Sequence, residues 1–411
     1  MSSLRQGLSV AVCTLLASGA PPAARAAVTP WEVDTSYLSY QEANDRVTVS
    51  KTLANLTRSS DTGAVTVGLV HDTMSGASPT GAIRSSDSVA TYTSASGSSG
   101  FSAGNGGDYS LSTFDDTRIQ AGLDIERELS RRTTLSYGGA VSNESDYESM
   151  GVNVGLARET GDRLTTFESG LAFTTDTIYR SASGDTPEPM SNMQQQRPYS
   201  EGKRNTVDAL LGVSRVLNRQ TVAQLNLSVG VSRGYHSDPY KIISAADDDD
   251  RILANFHDSR PDARLRTSLY GKLVHQLQNS EHSLHLSYRL YQDDWAIQSH
   301  TADLRYRHQL GKRHYLEPHV RLYRQSKAEF YQRKLAVDEG LNPIMPDDGF
   351  ASADYRLDAM TSSTLGLKYG LKVTPDIDLR LRAEFLDQNF STAEYSRNSA
   401  LILQSSVKVR F

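Results

Sequence analysis

The sequence predicts an all-β protein, a transmembrane antiparallel β-barrel of about 16 strands, with a count of about 14–18 admitted by the weaker boundaries. Three observations lead there. Apolar and polar residues alternate with period two along most of the chain, the connectors alternate between short and long, and the chain ends on an alternating strand closed by Phe411. The bulk numbers remove the competitors. The chain has 411 residues, 43 Lys plus Arg against 48 Asp plus Glu, a net charge of −5, and a mean hydropathy of −0.47. No apolar run outside the N-terminus is long enough for a transmembrane helix, and mixed charge of this size gives no footprint for nucleic acid. The single cysteine excludes a disulfide framework and a CxxC metal site.

Residues 1–26 read as a signal peptide. Arg5 supplies the positive start, Leu8 to Ala20 form a short apolar stretch, and Ala24-Arg25-Ala26 is a small-x-small cleavage pattern. Cys13 lies inside that segment. The mature chain, 27–411, is then the barrel, exported to a bacterial outer membrane.

Alternation places strands at 31–41, 45–57, 64–73, 117–129, 133–143, 148–159, 163–176, 204–217, 221–232, 263–277, 282–293, 297–310, 314–330, 354–373, 377–390 and 398–411. The segment at 378–385 shows the pattern: Leu379, Leu381, Ala383 and Phe385 alternate with Asp378, Arg380, Arg382 and Glu384. Short turns fall on the side of the termini. Long connectors near 74–116, 177–203, 233–262 and 331–353 fall on the other, where extracellular loops belong. A secreted β-sandwich or propeller also alternates. Its faces would not carry charge along whole strands, however, and no blade-sized repeat is present.

With apolar faces toward lipid, the other faces line the lumen. The early strands place Asp72, Asp124, Glu126, Glu168 and Asp208 there, with Arg118 as the basic exception. The late strands place Arg264, Arg266, Lys272, Arg289, Arg305, Arg307, Arg321, Lys368, Lys372, Arg380, Arg382, Lys408 and Arg410 there, beside Asp303, Glu317, Asp378 and Glu384. Two readings compete. In one, a field between an acidic and a basic wall orders polar solutes in a water-filled pore, the basic wall giving weak anion preference. In the other, the charges pair across the lumen and fill it.

The loops hold candidate chemistry. Asp72, Ser75, Gly76, Pro79 and Gly81 lie where the third strand ends and mark either a surface turn or a loop folded over the barrel mouth. Asp247 to Asp250, near His236, Asp238 and His257, form a solvated acidic loop or an oxygen-rich cation site, although EF-hand spacing is missing. His282 and His285 point to opposite faces of a strand and do not share a metal. No GxSxG or HExxH sequence is present, and no spacing selects one of the many Ser and His residues as a nucleophile or base. No catalytic residue, metal or cofactor is therefore assigned.

The run Ser75-Gly76-Ala77-Ser78-Pro79-Thr80-Gly81 after a strand, with Ser142-Asn143-Glu144-Ser145-Asp146-Tyr147-Glu148-Ser149 at a hairpin tip, resembles an uncharacterised Gram-negative domain-of-unknown-function family of predicted outer-membrane β-barrel proteins. The resemblance covers nearly all of the mature chain and implies a fold and a location, without catalytic residues. The expected function is a porin-like or transporter-like channel for small polar solutes. The alternative is a non-enzymatic scaffold or partner-binding barrel with a filled lumen. Expected partners are outer-membrane lipid, the barrel-insertion machinery during biogenesis and an unidentified periplasmic or surface protein, with no nucleic acid.

Overall fold

The computed structural model describes residues 31–83, 111–179, 186–193, 198–199, 202–278 and 281–411. The expected signal peptide, and the greater part of the connector expected at 74–116, lie outside these residues. Twenty strands form: β1 Trp31–Glu42, β2 Val47–Ser60, β3 Gly63–Pro79, β4 Leu111–Ser130, β5 Thr133–Asn143, β6 Tyr147–Glu159, β7 Thr165–Ile178, β8 Thr186–Pro187, β9 Pro198–Tyr199, β10 Gly202–Asn218, β11 Thr221–Gly234, β12 Ile242–Ala246, β13 Ile252–His257, β14 Ala263–Gln276, β15 Ser283–Asp293, β16 Gln298–Leu310, β17 His314–Gln325, β18 Met360–Lys372, β19 Ile377–Phe390 and β20 Arg397–Arg410.

Sixteen of them close into one antiparallel barrel, in the order β1 to β7, β10, β11, then β14 to β20, and β20 pairs back on β1 from Glu32↔Arg410 to Glu42↔Ala400. The remaining four make two small hairpins, β8–β9 and β12–β13. Closure leaves no unpaired strand edge, which backbone groups in hydrocarbon require. No helix among the described residues is long and apolar enough to cross a membrane. The barrel crosses with strands.

The seven connectors β2–β3, β4–β5, β6–β7, β10–β11, β14–β15, β16–β17 and β18–β19 gather at the end of the barrel that holds Trp31 and Arg410. The longer ones gather at the opposite end. The outward face is apolar on strand after strand: Leu69, Ile119, Leu171, Leu211, Leu322, Leu365 and Phe385 are all exposed. Each such side chain left in water forfeits about 2 kcal/mol. A band of them around a closed barrel therefore sits in lipid, and the protein is an outer-membrane barrel.

Four strand ends differ from the sequence reading by five or six residues, one of them the start of β4, at Leu111 rather than 117. β3 runs to Pro79 rather than 73. Ser75, Gly76 and Pro79, expected beyond the strand, therefore belong to it together with Asp72, and only Gly81 of the motif lies beyond it. The extended strand passes Gly76 with φ at +137°, where a Cβ would meet Arg46 O at 2.2 Å, so the position requires glycine. Ala77 N donates to that same oxygen at 2.7 Å. At the other side of the barrel, β17 stops at Gln325 rather than 330, and β18 begins at Met360 rather than 354. The residues trimmed from those strands, Phe330, Tyr355 and Leu357 among them, are buried in a different structure described next.

Candidate functional site

The described parts of the long connectors do not splay into solvent. Residues 78–83, the β8–β9 region, the β12–β13 hairpin and the chain between β17 and β18 fold together over the barrel mouth as a cap with two apolar cores. One packs Ile243, Ala245, Phe256, Leu335, Ala351 and Ala353. The other packs Trp295, Ile297, Phe330, Tyr331, Tyr355, Leu357 and Phe390, so it joins the cap to the upper ends of barrel strands. Single bridges stitch the segments: Ala245 to Leu335, Ser259 to Ala351, and Asn192 to Phe256.

Between these cores lies a buried ion network. Arg260 Nε meets Asp258 Oδ2 at 2.6 Å and its Nη2 meets Asp354 Oδ2 at 2.9 Å, with all three side chains at most 1% exposed. Arg356 pairs with Asp354 and meets Asp238 Oδ2 at 2.6 Å. Burial disfavours the charged forms of Asp238 and Asp354, but the guanidinium of Arg356 outweighs it and holds both well below the usual carboxylate range. Lys241 lies in the same network. Burial pulls its ammonium down to about 8, although Asp354 faces it. Its Nζ donates to Ser78 Oγ at 3.0 Å and to Pro79 O. This is what the 75–81 motif does: it delivers Ser78 and Pro79 to the cap. Gly81, with φ +98°, then lets the chain pass Ile242 O, which a Cβ would meet at 2.6 Å. Asp358 ties the cap to the β19–β20 turn, accepting from Thr392 N at 2.6 Å and Ala393 N at 2.8 Å.

The acidic run closes the β12–β13 hairpin. Asp250 meets Arg333 Nη2 at 2.6 Å and Lys334 Nζ at 2.7 Å. The bonds from Arg333 pull its carboxyl down to about 2. Asp247 Oδ1 accepts from Asp249 N and Arg251 N. The carboxylates of Asp247 and Asp250 are thus engaged by cations and backbone of the same protein. His236 is held neutral, its pKa pushed down to about 3 by burial and by Arg204. Its Nδ1 lies 2.8 Å from Gly234 O and its Nε2 2.8 Å from Ser232 Oγ. His282 stacks on His308 with centroids 4.5 Å apart, while His285 Nε2 lies 3.1 Å from Ser283 Oγ.

At the β5–β6 tip, Asp116, Glu144 and Asp146 hold carboxylate oxygens within 4.8 Å of one another. Burial and the neighbouring Asp116 push Glu144 from 4.5 up to about 8. A carboxyl with a raised folded-state value stabilises fully below its unfolded value and loses that contribution as pH rises through the folded value. The tip, closed by Glu144 N donating to Tyr147 O at 2.8 Å, is therefore expected to loosen between about pH 5 and 8, by on the order of 3 kcal/mol. Hydrogen exchange of this amide against pH measures it. Glu144→Gln should flatten the profile, and an unchanged profile in that variant contradicts the assignment.

Below the cap lies a cavity of about 680 Å³. Its roof includes Asp354, Tyr355, Arg356 and Leu357 from the cap, and its walls are inward residues of β10, β11, and β14 to β20. Six of the residues expected in the lumen meet there: Asp208, Arg264, Arg266, Arg289, Arg321 and Glu384. Arg264 Nε donates to Asp293 Oδ2 at 2.9 Å, and Arg266 Nη2 meets Asp208 Oδ1 at 3.2 Å. Arg289 has only a ring beneath it, its Cζ lying 5.4 Å from the Tyr270 centroid.

The other candidates lie lower. Arg305 Nε meets Asp303 Oδ1 at 3.1 Å, and His319 bridges Asp303 and Glu384 at 2.7 and 2.8 Å. Arg382 stands 3.7 Å from Glu384 and Lys368 2.6 Å from Glu317. At the short-turn end, Arg380 meets Asp34 and Lys408 meets Glu32, each at 2.6 Å, and Arg410 reaches Glu32 at 3.1 Å and Asp378 at 3.2 Å. Arg307 lies over the Tyr315 ring, with Cζ 3.8 Å from its centroid. Lys272 has no carboxylate within ion-pair distance among the described residues. On the early strands, Asp72 pairs with Arg118 and stands 3.5 Å from Lys51. Asp124 takes a hydrogen bond from Asn153, and no cation acts on Glu126 or Glu168 among the described residues.

The residues that the sequence reading missed are the cap's own: Arg260, Asp258, Asp354, Arg356 and Lys241. Their trace in the sequence is the apolar content of the loops, with Ile242, Ile243, Phe256 and Leu335 in stretches that a solvated loop would fill with polar residues.

The fold and the site together define a class, an outer-membrane antiparallel barrel of sixteen strands whose mouth is covered by its own folded loops. The family model described as "Protein of unknown function (DUF3570)" matches residues 5–403, and the chain belongs to that family. No curated protein matches it in sequence. Among solved structures, a bacterial polysaccharide outer membrane secretin aligns at 10% identity and a TM-score of 0.48, covering 93% of this chain and 99% of that one. The CymD monoaromatic hydrocarbon channel aligns at 8% and 0.43, covering 93% and 88%. The siderophore receptor PirA from Pseudomonas aeruginosa aligns at 9% and 0.41, covering 89% of this chain and 57% of that one. None of these likenesses assigns a solute.

Proposed function

We propose that this protein is a gated transporter that passes small polar solutes through its lumen, with the long-loop end at the cell surface and the short turns in the periplasm. The observation that supports it best is a folded cap over a chamber of about 680 Å³ whose mostly apolar lining carries Arg264, Arg266, Arg289 and Arg321. A pocket of this size suits a small molecule, and a cap held by ion pairs is a closure that can be undone. The basic side chains of β14 to β20 set the preference for solute charge. Lipid is the solvent of the outward face, and we assign β20, with Phe411 after it, to recognition by the insertion machinery.

A second reading is a partner-binding barrel with a filled lumen. The ladder of ion pairs linking Glu32 and Asp34 with Arg380, Lys408 and Arg410 favours it. Planar-bilayer recording separates the two. The native protein should give rare, brief openings, and Arg260→Ala should give sustained current steps. A variant whose cap is open to protease yet carries no current overturns transport and leaves the scaffold.

A further inference from the structure

The chamber's charges do not cancel. Its acidic lining residues are committed: Asp208 to Arg266, Asp354 to Arg260 and Arg356, and Glu384 to His319 and Arg382. Arg264 is taken by Asp293. Among the described residues, two guanidinium groups of the lining are left over. Arg289 and Arg321 line the chamber, and neither has an ion pair or hydrogen bond among the described residues. The barrel could have neutralised Arg321, since Asp303 is its partner in register on the neighbouring strand. That carboxylate is instead bonded by Arg305 and His319. A guanidinium kept in a partly desolvated wall without a counter-charge has all of its donors free for one that arrives.

The register sets their spacing. Arg289 on β15 is paired with Thr301 on β16, Thr301 with Tyr323 on β17, and Arg321 is the next inward residue of that strand. The two arginines thus flank β16, about 12 Å apart at the backbone by strand spacing and rise, with Thr301 on the strand between them. Two long forked donors across such a gap close on one planar or tetrahedral group that carries several acceptor oxygens.

We propose that Arg289 and Arg321, over Thr301, form a binding site for the oxyanion group of a small organic solute, a carboxylate or a phosphate. The site deepens the transport reading and rests on it for its purpose. Its occupancy is measured without transport.

The test is calorimetric titration of the full-length protein in detergent with sodium succinate, with inorganic phosphate, and with sodium chloride at matched ionic strength. Saturable binding of succinate, phosphate or both is expected, with none for chloride, and the arm that binds names the source. Arg289→Gln with Arg321→Gln should weaken that binding at least tenfold. Arg307→Gln, a lumen arginine outside the chamber, should leave it unchanged. Heat-modifiable migration on gels checks that each variant keeps its barrel. Binding of neither oxyanion, unchanged affinity in the double variant, or an equal loss in Arg307→Gln overturns the site. Oxyanion binding without current from the Arg260→Ala variant overturns transport and leaves the site standing. Current without oxyanion binding does the reverse.

Discussion

Replacing Arg260 by alanine is expected to detach the cap and leave the barrel closed. The guanidinium stands between Asp258 and Asp354, with side-chain exposures of 1%, 0% and 0%. Its removal strands two buried carboxylates, and breaking a buried pair from one side costs about 3–5 kcal/mol. The barrel does not share that cost, because its strands are held by a complete ladder of backbone bonds. The cap has little with which to absorb it beyond two modest apolar cores and the latch of Arg333 on Asp250 and Glu394. Limited trypsin digestion reads the result. Cleavage at Arg333 and Lys334 should accelerate at least a hundredfold, while the heat-modifiable band of the barrel is unchanged. Asp258→Asn placed on the same background should recover part of the protection, since it removes one stranded charge. Native-like protection in Arg260→Ala would show that the apolar cores alone hold the cap.

A second large effect is expected on the opposite face of the wall. Leu365 lies midway along β18 and is 59% exposed on the outward side. Leu365→Arg should destabilise the barrel by about 2–4 kcal/mol in lipid vesicles, the cost of arginine at mid-membrane depth. Ser362→Arg, three residues away and therefore on the lumen side, should cost under about 1 kcal/mol. Urea unfolding in vesicles measures both. Equal costs at the two positions would mean that the face assignment is inverted.

The barrel was legible because period-two alternation is imposed by two solvents, lipid outside and water inside, and every strand feels both. The cap was not legible for the same reason. Ala328, Phe330, Tyr355 and Leu357 continue the alternation of β17 and β18, and nothing in a residue pattern tells a membrane strand from an extended segment that buries alternate side chains beneath a lid. The 75–81 motif was placed at the right end of the molecule, as a surface turn or a loop folded over the mouth, and not as part of a strand. Its Gly76, at φ +137° against Arg46 O, lets the strand run on to Pro79. The charged interior was legible as residue types and not as pairs. Whether Arg264 is neutralised depends on Asp293, and whether Arg321 is depends on what Asp303 does with Arg305 and His319. These contacts cross strands and are fixed only by register.

The seam where β20 meets β1 has a consequence for assembly. Its ion pair between Lys408 and Glu32 joins residues 376 positions apart. Contacts of that separation form last, since the chain between them must be ordered first. Before the seam closes, two strand edges lie open in hydrocarbon, each with a row of unbonded amides. A truncated chain lacking β20 then has no stable partly zipped form in lipid. Loss of the last strand should read out as degradation of the whole polypeptide rather than as a slightly smaller barrel.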